Sequence, residues 1–130
     1  MSTGTLDRIV EHLQFIGYET VPLGEVILAK HPRKPNIALT PLRGSGILIT
    51  ALFNCTDEAK WDRSGYLDTI NALNTRAVLA RFFADNDSNL RIDAWYPDAY
   101  DRHTFSTFMD LWDRDCGLLL EIPEIRRYLK

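Results

Sequence analysis

Three extended segments of this chain lie so close together that they can pair in only one way. Glu25 to Lys30 (EVILAK), Asn36 to Thr40 (NIALT) and Gly46 to Asn54 (GILITALFN) follow one another with short gaps. HPRKPN, with Pro32 and Pro35, fills the first gap, and LRGSG leads into the third segment. Prolines break strands and shape turns, and glycines supply positive φ. A parallel crossover needs a connection of about a dozen residues or more, and neither gap provides one. The three segments therefore predict an antiparallel meander. Val26, Ile27, Ile47 and Ile49 supply β-branched side chains that suit the pleated state.

Helical periodicity flanks this block. Leu6, Ile9, Val10 and Leu13 share one helical face, which predicts a helix over residues 5–16, with Thr3 or Thr5 as its cap and Gly17 beyond its end. After Asp57, Tyr66, Ile70 and Leu73, with Leu67 beside them, predict a second helix over residues 62–74. Val78 to Ala84 and Leu90 to Tyr96 read as a hairpin of two strands. Phe105, Phe108, Met109 and Trp112 form a third helical face that Cys116 extends, started by Asp98 or Asp101 and ended by Gly117. Pro123 opens a tail in which Ile122, Ile125 and Leu129 can dock a last helical turn. The order is α-β-β-β-α-β-β-α. It is an α+β chain with an antiparallel sheet, helices packed on one face and a short C-terminal helical tail, expected to form one domain over residues 1–130.

Composition narrows the function classes. The net charge is −3 and the basic residues are scattered, so the positive stripe that phosphate binding demands is missing and nucleic acid is not an expected partner. The longest apolar stretch, Ile47 to Phe53, is broken by Thr50 and is too short to cross a bilayer. MSTGTLDRIVEHLQ lacks the basic flank and apolar run of a signal peptide. Cys55 and Cys116 make neither a CxxC motif nor a disulfide framework. A cytoplasmic protein is expected.

The candidate chemistry reads as structure. In FADNDSNLRIDAW, Asp85, Asp87 and Asn89 alternate as calcium ligands do, but the loop's sixth and twelfth positions hold Leu90 and Tyr96 instead of glycine and glutamate. A hairpin turn is the better reading. GSG at 44–46 opens a strand rather than a helix, which a phosphate loop would require. Asp98, Asp101 and His103 form a conceivable acid–histidine cluster, better explained as helix-start residues. Cys116 reads as an apolar filler, and Cys55 as a partly open residue at a strand end. Asp110, Asp113 and Asp115 read as a solvated helix surface with Asp110 and Arg114 at pairing distance. No catalytic residue, metal ligand or cofactor is expected.

Binding is left. In the last hairpin Ala80, Phe82, Ala84, Leu90, Ile92 and Ala94 can face the helices, which puts Arg81, Phe83, Arg91, Asp93 and Trp95 on the opposite face. Aromatics interleaved with arginines on a sheet face make a contact surface, unless the tail or first helix covers them. Arg81, Phe83, Arg91 and Trp95 are the expected partner-binding residues. Phe53, Trp61 and Tyr66 form a second candidate cluster.

YLDTINALNTRAVLARFFADNDSNLRIDAWY resembles the signature region of the bacterial YbjN-like family, whose members are labelled sensory transduction regulators. The matching positions are Ile70, Asn71, Leu73, Asn74, Ala80, Arg81, Phe82, Asp85, Asp87, Leu90 and Ile92. The element order is also similar to type III secretion chaperones. The resemblance implies a small cytoplasmic homodimer that binds protein segments, chaperone-like or regulatory, without cofactor or catalytic residues. Tyr66, Leu67 and Ile70 are the expected dimer interface. The alternatives are a regulator that senses a small ligand between helix and sheet, and a small enzyme using the 98–103 cluster.

Overall fold

The computed structural model describes residues 3–130. They build one six-stranded antiparallel sheet with all helices on one face. The elements in chain order are α1 (Thr3–Phe15), β1 (Glu19–Leu23), β2 (Val26–Lys30), β3 (Ile37–Pro41), β4 (Ile47–Phe53), α2 (Asp57–Trp61), α3 (Arg63–Arg76), β5 (Arg81–Ala84), β6 (Leu90–Tyr96), α4 (Arg102–Cys116) and α5 (Leu118–Glu121), followed by a 3-10 turn over Pro123–Tyr128. The strand order across the sheet is β1-β2-β3-β4-β6-β5.

The meander carries one more strand than its sequence suggests. ETVPL pairs with β2 from Glu19↔Lys30 to Leu23↔Val26 and becomes an edge strand. Pro22 disguises it, because proline is excluded from central strands. At an edge, its missing N–H can point outward at no cost to the ladder. The middle helix is also split. Asp62 leaves helical geometry (φ −106°, ψ 58°) and its side chain accepts from the Gly65 N–H at 3.2 Å, which caps α3 afresh.

Alternation sets the two faces. Along β4, Ile47, Ile49 and Ala51 are buried, while Leu48, Thr50 and Leu52 point away from the core. Register carries the same division across the sheet, so Leu90, Ile92, Ala94 and Tyr96 of β6 join the buried face. Onto it pack Ile9 and Leu13 of α1, Tyr66 and Leu73 of α3, and Phe105 and Trp112 of α4. Burying each large aliphatic side chain contributes about 1.5–3 kcal/mol. At the β3–β4 hairpin Gly46 is obligatory. Its φ is 86°, and a Cβ there would meet the Tyr96 carbonyl oxygen at 2.1 Å.

The tail folds back to close the sheet's lower end. Thr56 N–H donates to the Tyr128 carbonyl and Lys130 N–H to the Asn54 carbonyl, both at 2.9 Å, with Cys55 and Leu129 bridged between them. The Tyr128 hydroxyl donates to Asp62 at 2.8 Å, which ties the tail to the start of α3. Cys55 is therefore buried under the tail, not open as its sequence position suggests.

Candidate functional site

With the helices on one side, the second face of the sheet carries no covering element among the described residues. One complete cross-strand row runs over it: Val21, Leu28, Ala38, Thr50, Asp93 and Arg81, each opposite the next. On one side of that row Leu52, Arg91 and Phe83 stand in register, and on the other Thr40, Leu48 and Trp95. Small residues at the row's centre, Ala38 and Thr50, leave a groove of about 490 Å³ between Leu28, Leu52 and Arg91. Val21 is 46%, Leu23 64%, Leu52 48% and Trp95 54% exposed, an apolar load that an idle solvent face seldom carries.

All four expected contact residues lie on this face, and neither the tail nor α1 covers them. Their electrostatics differ from those of a simple basic patch. Arg81 makes a bidentate pair with Asp93, Nε to Oδ1 at 2.5 Å and Nη2 to Oδ2 at 3.0 Å. Its guanidinium also sits 5.4 Å from the centre of the Phe83 ring. Arg91 donates to Asp85 at 2.9 Å. Asp93 is buried beneath its partner. Both arginines are thus ion-paired within the face, so their charge is compensated locally beside its apolar residues.

Each edge of the sheet is interrupted at one position. Pro22 removes a donor from β1. At β5, the Asn74 side-chain amide takes the place of a neighbouring strand: the Phe82 N–H donates to Asn74 Oδ1 at 2.9 Å and Asn74 Nδ2 donates to the Phe82 carbonyl at 2.8 Å. Edge pairing with a bound segment, one way a sheet can hold a peptide, is blocked at that point.

Several expectations are corrected. Tyr66 has no exposure and Ile70 only 5%, so both belong to the core and not to a dimer surface. The Tyr66 hydroxyl donates to the Ser88 carbonyl at 2.7 Å. Of the three, only Leu67 reaches solvent. The cluster of Phe53, Trp61 and Tyr66 is divided the same way, with Trp61 largely exposed. Asp115 is not on a solvated surface. It is fully buried, and its carboxylate accepts from the N–H groups of Val78, Leu79 and Ala80 at 3.0, 2.7 and 2.8 Å, with Arg114 at 2.9 Å. Residues 78–80 thus bond to Asp115 ahead of β5, which begins at Arg81 and not at Val78. Asp113 pairs with Lys34 at 2.7 Å.

The acid–histidine cluster is a helix start. Asp101 caps α4 through the Thr104 N–H at 2.9 Å and hydroxyl at 2.8 Å, and these bonds hold its carboxyl below the ordinary range. His103 is exposed. In the hairpin, Asp85 Oδ1 accepts from the Asp87 and Asn89 N–H groups and Oδ2 from Arg91, so its oxygens serve the turn. Among the described residues no group of three or more His, Cys, Asp or Glu side chains is placed to hold a metal ion. Burial, with Asp113 and Asp115 nearby, pushes the Cys116 thiol up to about 12, an inert thiol.

One polar site escaped the sequence reading. His12 is buried between α1 and α4, where its Nδ1 lies 2.8 Å from the Tyr100 hydroxyl and its Nε2 3.4 Å from Ser106 Oγ. Burial, helped by Arg102, holds its pKa below the ordinary value. Its place one residue from the apolar stripe of α1 was the available signal.

No known protein family matches the chain by sequence, and no curated protein does. Among solved structures it is similar to the crystal structure of YbjN, described as a candidate transcription regulator from E. coli. The two share 13% identity over 96% of this chain and 95% of that one, with a TM-score of 0.73. No described helix is long and apolar enough to cross a membrane. At that identity the likeness speaks for architecture: the chain has the YbjN-like α+β fold.

Proposed function

We propose that the chain is a non-enzymatic protein-binding module, chaperone-like or regulatory, which works in the cytoplasm as a homodimer of one domain per chain. Its occupant is an apolar segment of a partner protein, lying across the open sheet face. The uncovered face carries this reading: Leu28, Leu52, Phe83 and Trp95 around a floor of small side chains, with arginines already ion-paired within it. The blocked edge at Asn74 favours side-chain contacts across the face over strand addition. The regulator description of YbjN supports the regulatory version. Leu67 and Trp61, exposed on neighbouring helices, supply the self-association surface.

The test uses a permanently unfolded probe, reduced and carboxymethylated α-lactalbumin, with light scattering at micromolar concentration. The wild-type chain is expected to be dimeric and to bind the probe. The pair Phe83→Ala and Trp95→Ala is expected to lose the probe at least tenfold while remaining folded and dimeric. Undiminished probe binding would remove the face assignment. A variant that becomes monomeric would show that a second copy occupies the face, and a monomeric wild type would end the dimer reading.

A further inference from the structure

A second cavity lies on the helical side of the sheet, away from the proposed partner face, and goes beyond the reading above. Its volume is about 510 Å³, within the range of small-molecule pockets. Phe53 from the end of β4, Leu119 and Leu120 from α5, and Ile125 and Leu129 from the tail give it an apolar interior. Leu120 is 75% exposed beside it, a large aliphatic side chain left in water where one more apolar contact would cover it.

The rim is predominantly basic. Arg33 and Lys34 approach from the β2–β3 loop, Arg126 and Lys130 from the tail, and Asp113 is the single acid. Asp113 is already paired with Lys34. The side chains of Arg33, Arg126 and Lys130 make no ion pair among the described residues. Three uncommitted cations around an apolar hollow, in a chain of net charge −3, are a local reversal of the molecule's overall sign.

We propose that this cavity binds an amphipathic monoanion with one unbranched alkyl chain, a fatty-acid-like carboxylate. The chain lies against Leu119, Leu120, Ile125 and Phe53, and the carboxylate meets Arg126 with Arg33 or Lys130. The cavity is formed by parts that are far apart in sequence and joined by the tail, so an occupant also cross-braces the tail against α4 and the β2–β3 loop.

The probe is dodecanoate below its micelle concentration, followed by calorimetry, with near-ultraviolet circular dichroism as the check on folding. One-to-one binding is expected, at least tenfold tighter than that of butanoate and of the uncharged dodecanol. Arg126→Glu is expected to weaken it tenfold or more. Leu120→Asp, at an exposed position that leaves the core intact, is expected to do the same. Equal binding by wild type and both variants would overturn the proposal, as would equal affinity for dodecanoate and dodecanol. Binding to phosphatidylglycerol vesicles without binding of the free carboxylate would also overturn it, because the basic rim would then serve a membrane surface.

Discussion

Asp115 shows how a single residue can hold a loop without looking like a structural residue. Its carboxylate collects three successive backbone N–H groups and a guanidinium inside the protein. A charge so buried survives only when such partners replace water. Asp115→Ala would leave those donors unpaired, and the expected loss is roughly 3–5 kcal/mol in urea denaturation. Asp115→Asn keeps one acceptor oxygen and is expected to lose less, about 1–3 kcal/mol. A loss below ~1 kcal/mol for the alanine variant would mean that residues 77–80 relax into water. Nothing local foretells this role. The acceptor is chosen by backbone groups some 35 positions upstream, as the separation of Asp115 from Ala80 records, and periodicity does not report on such partners.

At the scale of elements, the edge of β5 is the informative case. Asn74 occupies the hydrogen-bonding positions that another strand would use, so the sheet ends on a side chain from its own packed helix. Asn74→Ala is expected to cost about 1–2 kcal/mol and to open Phe82 to pairing. Sedimentation should show concentration-dependent association that the wild-type chain lacks, beyond any dimer; unchanged sedimentation would assign edge protection to other features. The elements themselves were legible to different degrees. The last hairpin and α4 were clear from alternation and helical spacing, although the hairpin's first strand begins at Arg81 and not at Val78. β1 was hidden by Pro22, and the division of the middle helix depended on the Asp62 cap. The spacing of Tyr66, Ile70 and Leu73 already described a buried stripe, so their burial was readable, and no residue pattern favoured them as a dimer surface.

For the whole molecule, acid stability should fall in two stages. His12 is held neutral by burial and by Arg102, so its pKa in the fold lies below the ordinary 6.5. Below pH 6.5 the unfolded chain binds a proton that the fold resists. Stability is therefore complete above that value and is lost as pH falls toward the folded pKa. A second decline follows below 3.8, where Asp62, bonded by the Tyr128 hydroxyl and Gly65, and Asp101, bonded by Thr104, take up protons through their depressed values. Urea midpoints against pH should show both limbs, and His12→Gln should remove the first alone. A wild-type profile flat from pH 6.5 down to 3.8 would contradict the buried histidine. The open sheet face was legible in part: four of its residues followed from alternation in the hairpin, but the Asp93 and Asp85 pairs and the contribution of β1 and β2 required the folded sheet. The basic-rimmed cavity was not legible at all, since its walls come from the β2–β3 loop, the end of β4 and the chain from Asp113 onward.

The tail's return to residues 54–62 also sets an order of events during synthesis. Thr56 waits for the Tyr128 carbonyl and Asp62 for the Tyr128 hydroxyl, a span of 66 positions in the latter pair. The sheet can zip from β1 through β6 while the ribosome is still at work, because each of its hairpins or neighbours is already made. Its lower end stays unlatched until the last turn emerges. A nascent chain stalled before that turn would therefore show protected amides in the central strands and an unprotected one at Thr56, a half-closed intermediate defined by translation rather than by denaturant.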